Sequence, residues 1–244
     1  MNKVSPIIAF VHVPKTAGST VNHYLARSRA PGQAHVESLF SQSHKIREKI
    51  AGYDWVSGHV PFPKMRATLT RVTFRHIHFF TAIRAPDAQV MSHFNWLIEI
   101  RKRGRSFYNA HPPQIKEISE RIRAADTSDP RQIIDLLHGS RQLFLNFQSQ
   151  MVLGKRHPTT SLDELEQRLR VYELIATEAT LPTLIERVSG QAYQPKKRKN
   201  VSPYHFPKDV FQDQRLLEFL HEENACDFAL YDFVQSRSAE QNIR

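Results

Sequence analysis

The chain carries one cysteine, Cys226, in 244 residues. A lone thiol closes no internal disulfide and builds no cysteine-based structural zinc site, and this usage fits a reducing compartment. Long hydrophobic runs are also missing. The start of the chain, MNKVSPIIAFVHV, holds an apolar run of about seven residues. That is too short for a signal segment with its cleavage site and far short of a bilayer span. The expectation is a cytoplasmic protein with neither anchor nor membrane span. No repeat and no low-complexity linker divides the sequence. Its length suits one domain with a full core, taken as residues 1–234, ahead of a polar, frayed tail over 235–244. Acidic residues are in short supply: 24 Asp and Glu stand against 34 Lys and Arg, for a formal charge of +10. Such a balance favours anionic partners without choosing among nucleotides, nucleic acid, acidic glycans and membrane surfaces.

What is present alternates between strands and helices. Ile7–Val13 is a continuous apolar run, broken only by His12, and suits a buried parallel strand. A turn over 14–18 follows, then a helix from Ser19 or Thr20 to about Arg27, with Val21, Tyr24 and Leu25 on one face. Further strands are expected over Trp55–Val60, Ile77–Ile83 and Tyr172–Ala176. Pro86 opens a helix to about Ile100. Other helices are expected over Gln132–Leu153, Leu162–Leu169, Leu181–Val188 and Phe211–Asn224, and Arg101–Pro113 reads as a surface excursion. The pattern predicts an α/β fold with a mainly parallel sheet.

The segment FVHVPKTAGST, Phe10–Thr20, joins the first strand to the first helix. Ligands of open α/β sheets bind beyond the carboxyl ends of strands. A helix N-terminus there offers backbone amides and a positive dipole end. Lys15 adds a positive charge, Thr16, Ser19 and Thr20 add hydroxyls, and Gly18 allows close approach of the backbone. Together they form a cradle for phosphate or sulfate. The GxxxxGK[ST] spelling of a standard P-loop is absent, and no carboxylate pair suited to Mg2+ stands at a second strand end. Both omissions disfavour an ATPase or kinase.

PKTAGST resembles the PKTGGT-type 5′-phosphosulfate loop of sulfotransferases that use 3′-phosphoadenosine-5′-phosphosulfate (PAPS), especially the carbohydrate branch that includes heparan sulfate 2-O-sulfotransferase. The second signature of that family is a strand-end arginine leading through RDPxxRxxS into a helix. FFTAIRAPDAQVMSHF matches it at Arg84, Pro86 and Ser92, while Ala85 and Gln89 replace an aspartate and an arginine. An arginine fork and a helix serine so placed can grip a 3′-phosphate. SGHVPF, NFQSQMVLG, ATEATLPTLIERV and DFALYDF resemble further family phrases in family order, from about Phe10 to Phe233.

The resemblance implies a P-loop-like three-layer sandwich and sulfuryl transfer from PAPS to an acceptor hydroxyl of a saccharide or glycoconjugate, acidic glycans among them. No metal and no nucleic acid are implied. The donor site it implies comprises Lys15, Thr16, Ala17, Gly18, Ser19, Thr20, Arg84, Ser92 and Lys199, the last with Asn200 in a late basic loop. Lys15 also serves as the catalytic stabiliser of the leaving phosphate. The resemblance places the catalytic histidine in the GH segment, at His59, and imidazole suits a general base near neutral pH. Glu37 is the runner-up, since other branches use a glutamate after the first helix; His93 and His12 follow. A basic cluster at Arg101, Lys102, Arg103 and Arg105 can attract an acidic acceptor or simply be solvated. Two other readings stay open: a different nucleotide-dependent transferase of kinase type, and a non-catalytic polyanion-binding module on the same fold.

Overall fold

The structure, a computed structural model, describes residues 5–40, 46–154, 159, 161–195 and 203–241. At its centre lies a five-stranded sheet of β1 (Ile7–Val11), β2 (Gly32–Gln33), β3 (Trp55–Gly58), β4 (Ile77–Ala82) and β5 (Tyr172–Ala176), in the order β2-β3-β1-β4-β5. Every pairing is parallel. β1 is IIAFV and all five residues are buried. A parallel strand covered on both faces calls for that kind of unbroken apolar run. Ala9 pairs with Val56 on one side and Phe79 on the other, which fixes β1 as the middle strand.

Helices fill both faces. α1 (Gly18–Ser28) sits with α12 (Leu181–Ser189) on one face, where Val21, Tyr24 and Leu25 pack with Ile8 and Phe10. These positions follow the three- and four-residue spacing of a helix stripe. Leu25 is fully buried, so truncating it to alanine would cost about 2–5 kcal/mol. The opposite face carries Ile7, Ala9 and Val11. It is covered by α2 (Glu37–Phe40), α3 (Ile46–Ala51), α4 (Phe62–Val72), α10 (Phe147–Leu153), α11 (Leu162–Leu169) and α14 (Ala225–Gln241). A third apolar cluster joins α5 (Pro86–Lys102), α7 (Pro113–Ala124), α8 (Pro130–His138), α9 (Arg141–Phe144) and α13 (Gln214–Glu223), with α6 (Arg105–Asn109) beside α5. The result is an α/β three-layer sandwich. No helix among the described residues is long and apolar enough to cross a membrane.

Several expected boundaries move. The helix expected over Gln132–Leu153 is three helices, α8, α9 and α10. Gly139 and Ser140 end the first, and Asn146 at φ 52° turns the chain into the last. The stretch Arg101–Pro113 is not simply an excursion, because α5 runs on to Lys102 and α6 follows. A 3-10 turn over Lys208–Gln212 precedes α13, whose start is set by Asp213 accepting from the amides of Arg215 and Leu216. The polar tail is helical as far as Gln241, continuing α14.

Candidate functional site

β1 hands the chain to a tight turn. The amide of His12 still donates to the Gly58 carbonyl at 3.0 Å, and then Lys15 and Ala17 adopt left-handed conformations, at φ 68° and 71°. Such a conformation costs a non-glycine residue roughly 1–2 kcal/mol, and strain of this kind gathers where function needs it. The Thr16 hydroxyl donates to the Val13 carbonyl at 2.8 Å, so it braces the turn from inside. The amides of Thr20 and Val21 both donate to the Ala17 carbonyl. No side chain caps α1. The first-turn amides ahead of Thr20 thus have no side-chain cap among the described residues and can meet an external acceptor. Gly18 is required by packing: a Cβ there would lie 1.9 Å from Cδ2 of His12.

The second strand end is held from behind. The Arg84 amide donates to Oε1 of Gln148 at 2.9 Å, and Nε2 of Gln148 donates to the Arg84 carbonyl at 2.8 Å. Gln148 is fixed in turn by the buried carboxylate of Asp227, which accepts from the amides of Gln148 and Ser149 at 3.0 and 2.6 Å. The Asn146 side-chain oxygen accepts from the amides of Cys226 and Asp227. Thus the NFQSQ phrase and the phrase starting at Asp227 form one buried brace behind Arg84. The Arg84 side chain donates through Nε to Glu178 at 2.7 Å, which links the ends of β4 and β5. Gln89, fully buried on α5, donates to the Pro14 carbonyl at 3.1 Å and so ties this helix to the lysine turn.

Both turns wall a single cavity of about 500 Å3. Lys15, Thr16, Ala17 and Thr20 line it from the first turn, and Arg84 and Ser92 from the second. The cavity spans the gap between the ends of β1 and β4. The chain reverses direction across the sheet there, since β2 and β3 lie to one side of β1 and β4 and β5 to the other. Such switch points are where α/β sheets bind ligands. Burial pushes the Lys15 ammonium below its usual value, and the guanidiniums of Arg103 and Arg84 add to that against an opposing pull from Glu99. Lys15, Arg84 and Lys208 are the described cationic residues lining the cavity. Glu178 is the only carboxylate among the described lining residues, and it is paired with Arg84.

Other expected residues lie elsewhere. Gly18 is packed against His12, and Ser19 is exposed; neither lines the cavity. Lys199 and Asn200 lie outside the described residues. The sequence reading missed Trp96, Tyr193, Tyr204 and Lys208, all of which line the cavity. The ammonium of Lys208 stands 4.5 Å from the centre of the Tyr204 ring. Nothing in the local pattern marks these residues. The loop at 203–205 is tied to α5 by Asn95, which bonds the Pro203 carbonyl and the His205 amide, and by Glu99 and Lys102, which meet the His205 ring.

His59 lies just past β3, in a group of imidazoles, and is not among the residues lining the cavity. Its Nδ1 is 2.7 Å from the His12 carbonyl oxygen. A carbonyl only accepts, so Nδ1 carries the proton and Nε2 is left with its lone pair. The His59 amide donates to the Glu37 carboxylate. Glu37 is therefore a holder of the His59 backbone. The His12 and His35 rings stand 4.1 and 5.6 Å from that of His59. Burial holds His59 below the usual histidine range, partly offset by the bond to His12 and by Glu37. Burial also holds His12 well below that range, helped by His59, His35 and Lys15. His93 is fully buried and its pKa falls to about 3, chiefly through burial, with Lys15 and His59 adding to it. The ligand atoms of His35, Glu37 and His59 lie within 4.8 Å of one another, close enough to share a metal ion.

Chemically, the site sets two cationic grips across one cavity, and the half-buried His59 imidazole, held below the usual histidine range, stands past β3 outside the cavity lining. That arrangement can hold an anion carrying two separated charged groups and accept a proton. No protein-family model matches this chain, and no curated protein matches it.

Proposed function

We propose that the protein transfers a sulfuryl group from PAPS to an acceptor hydroxyl, on a saccharide or glycoconjugate. One observation carries this reading: the lysine turn after β1 and the Arg84–Ser92 pair after β4 wall the same cavity. Two anion grips facing one space suit a nucleotide charged at both its 5′ and 3′ positions. The flat faces of Trp96, Tyr193 and Tyr204 on the same wall suit a purine. Lys15 and the uncapped first turn of α1 would hold the 5′ phosphosulfate. Arg84 would reach the 3′-phosphate with its terminal nitrogens, since its Nε is taken by Glu178. Ser92 adds a hydroxyl beside it.

The donor supplies an activated sulfuryl group on a phosphate leaving group. The residues supply charge and proton handling. The acceptor hydroxyl gives up its proton to Nε2 of His59, which stays neutral because burial lowers its pKa. Lys15 places positive charge where the leaving phosphate gains negative charge. The His12 carbonyl and Glu37 keep His59 in one tautomer and one place.

Calorimetric titration with 3′-phosphoadenosine-5′-phosphate (PAP) and with AMP tests the two-grip reading. PAP should bind at least tenfold more tightly than AMP, and Arg84→Ala should erase that preference. Equal affinities in the native protein would refute it. A donor-coupled screen of sugars, lipids and phenols then tests transfer itself, and Lys15→Ala should lower both donor affinity and rate.

A further inference from the structure

A cluster of metal-ligating side chains stands at the opposite end of the sheet from the cavity. His76 and His78 are two residues apart where the chain enters β4, so their side chains leave the same face of the sheet. The backbone there is fixed: the Ile7 amide donates to the His76 carbonyl at 2.8 Å, and His78 pairs in register with Ile8. Their rings stand 4.6 Å apart, edge to face. Glu173 of β5 meets them from the neighbouring strand, its Oε1 2.6 Å from Nδ1 of His78. An irregularity in the pairing places it there. Phe79 pairs with Tyr172 but Phe80 pairs with Leu174, so Glu173 is the extra residue of a bulge. Leu174 takes the position opposite Phe80, and the carboxylate stays beside His78.

We propose that His76, His78 and Glu173 form a binding site for a divalent transition-metal ion such as Zn2+. The ligand atoms already lie within 4.8 Å of one another. Tetrahedral zinc with bonds of about 2.0–2.2 Å puts its ligands roughly 3.4 Å apart. Small rotations of side chains close the difference, and His76 and Glu173 are exposed and able to make them. Two imidazoles and one carboxylate select Zn2+, Ni2+ or Cu2+ over Mg2+ or Ca2+. Three protein ligands leave a fourth position for water. The adjacent cation, Arg75, is turned away: its guanidinium bonds the carbonyls of Ser5 and Tyr53 and the carboxylate of Asp54. β5 is an edge strand, paired among the described residues with β4 alone. An ion at this site cross-links the edge to the sheet interior, at the end opposite the Arg84–Glu178 pair.

The test uses chelator-treated full-length protein titrated calorimetrically with ZnCl2 near neutral pH, and with CoCl2 read by visible absorption. His76→Gln and His78→Gln should each weaken Zn2+ binding at this site at least tenfold. Glu173→Gln should weaken it as well, with an unchanged far-ultraviolet dichroism spectrum in all three. Zn2+ should raise the thermal midpoint of the native protein and leave that of His78→Gln unmoved, and Mg2+ should do neither. Zn2+ binding that survives in a folded His76→Gln/His78→Gln double variant would overturn the assignment. So would binding lost in His35→Gln and kept in His78→Gln, which would place the ion at the other imidazole group. No binding by the native protein would overturn it outright.

Discussion

His93 should make the protein acid-sensitive in a window that carboxylates do not share. The ring is 3% exposed on α5, among Trp96, Phe144 and Phe147 at centroid distances of 5.6, 5.4 and 5.7 Å. Its Nδ1 finds no hydrogen-bond partner among the described residues. Burial, then the charges of Lys15 and His59, bring its pKa to about 3. In the unfolded chain an imidazole titrates near about 6.5. The unfolded state therefore binds the proton that the native state refuses, and stability falls as pH drops below the unfolded value. Between about pH 7.5 and about pH 5, His93 alone should remove roughly 2 kcal/mol. His12 and His59 are lowered in the same direction and steepen the loss. The assay is urea unfolding across this range for the native protein and for His93→Phe, which keeps an aromatic ring in the pocket. The variant carries a fixed offset from its altered packing, so the slope is the readout. The native protein should lose about 2 kcal/mol more stability than the variant on going to the lower pH. Curves that stay parallel to within about 0.5 kcal/mol would refute the buried, neutral imidazole.

Gly18→Ala should destabilise the lysine turn, because the new methyl would enter the His12 ring; a loss of about 1–3 kcal/mol in chemical unfolding is expected, together with weaker PAP binding. His59→Ala should abolish donor-coupled transfer while leaving the PAP affinity within twofold. If the native protein transfers as proposed, the acid limb of its kcat/KM should lie below the usual histidine value, since burial depresses His59. Asp227→Ala leaves the buried amides of Gln148 and Ser149 without their acceptor. It should cost roughly 1–3 kcal/mol per amide and loosen Arg84, so that unfolding and PAP titration move together; an unchanged PAP affinity would separate the brace from the site.

The strands of the core were legible because a parallel strand buried on both faces has to be apolar along its length. Ile7, Ile77 and Tyr172 start β1, β4 and β5 as expected, and Pro86 starts α5. Elements built from short, polar or pairing-dependent segments were not legible. β2 is Gly32–Gln33, defined only by its pairing with Trp55 and Val56. The break at Asn146 is invisible to helical periodicity because apolar residues continue across it. Its left-handed backbone is stabilised by Glu223, Asn224 and the start of α14, which bond its side chain and amide from far along the chain. The same limit applies at the site. Lys15 and Arg84 announce themselves by standing at strand ends, whereas Trp96, Tyr193 and Tyr204 reach the cavity by tertiary folding alone.

Gln89, where the sequence differs from the sulfotransferase phrase it resembles, has a physical role of its own. An arginine at position 89 would bring another cation to a buried site beside Lys15 and Arg84, and a buried charge without a partner is costly. The amide of Gln89 instead donates to the Pro14 carbonyl and locks α5 to the lysine turn without adding charge. The backbone at Arg84 is held by Gln148 on both its amide and its carbonyl, and Asp227 holds Gln148 from the buried side. The backbone beneath the two cationic side chains thus rests on neutral amides and one deeply buried carboxylate, while the Arg84 side chain itself is held by Glu178. Their charge stays directed into the cavity, with Glu178 as the one lining carboxylate among the described residues set against it.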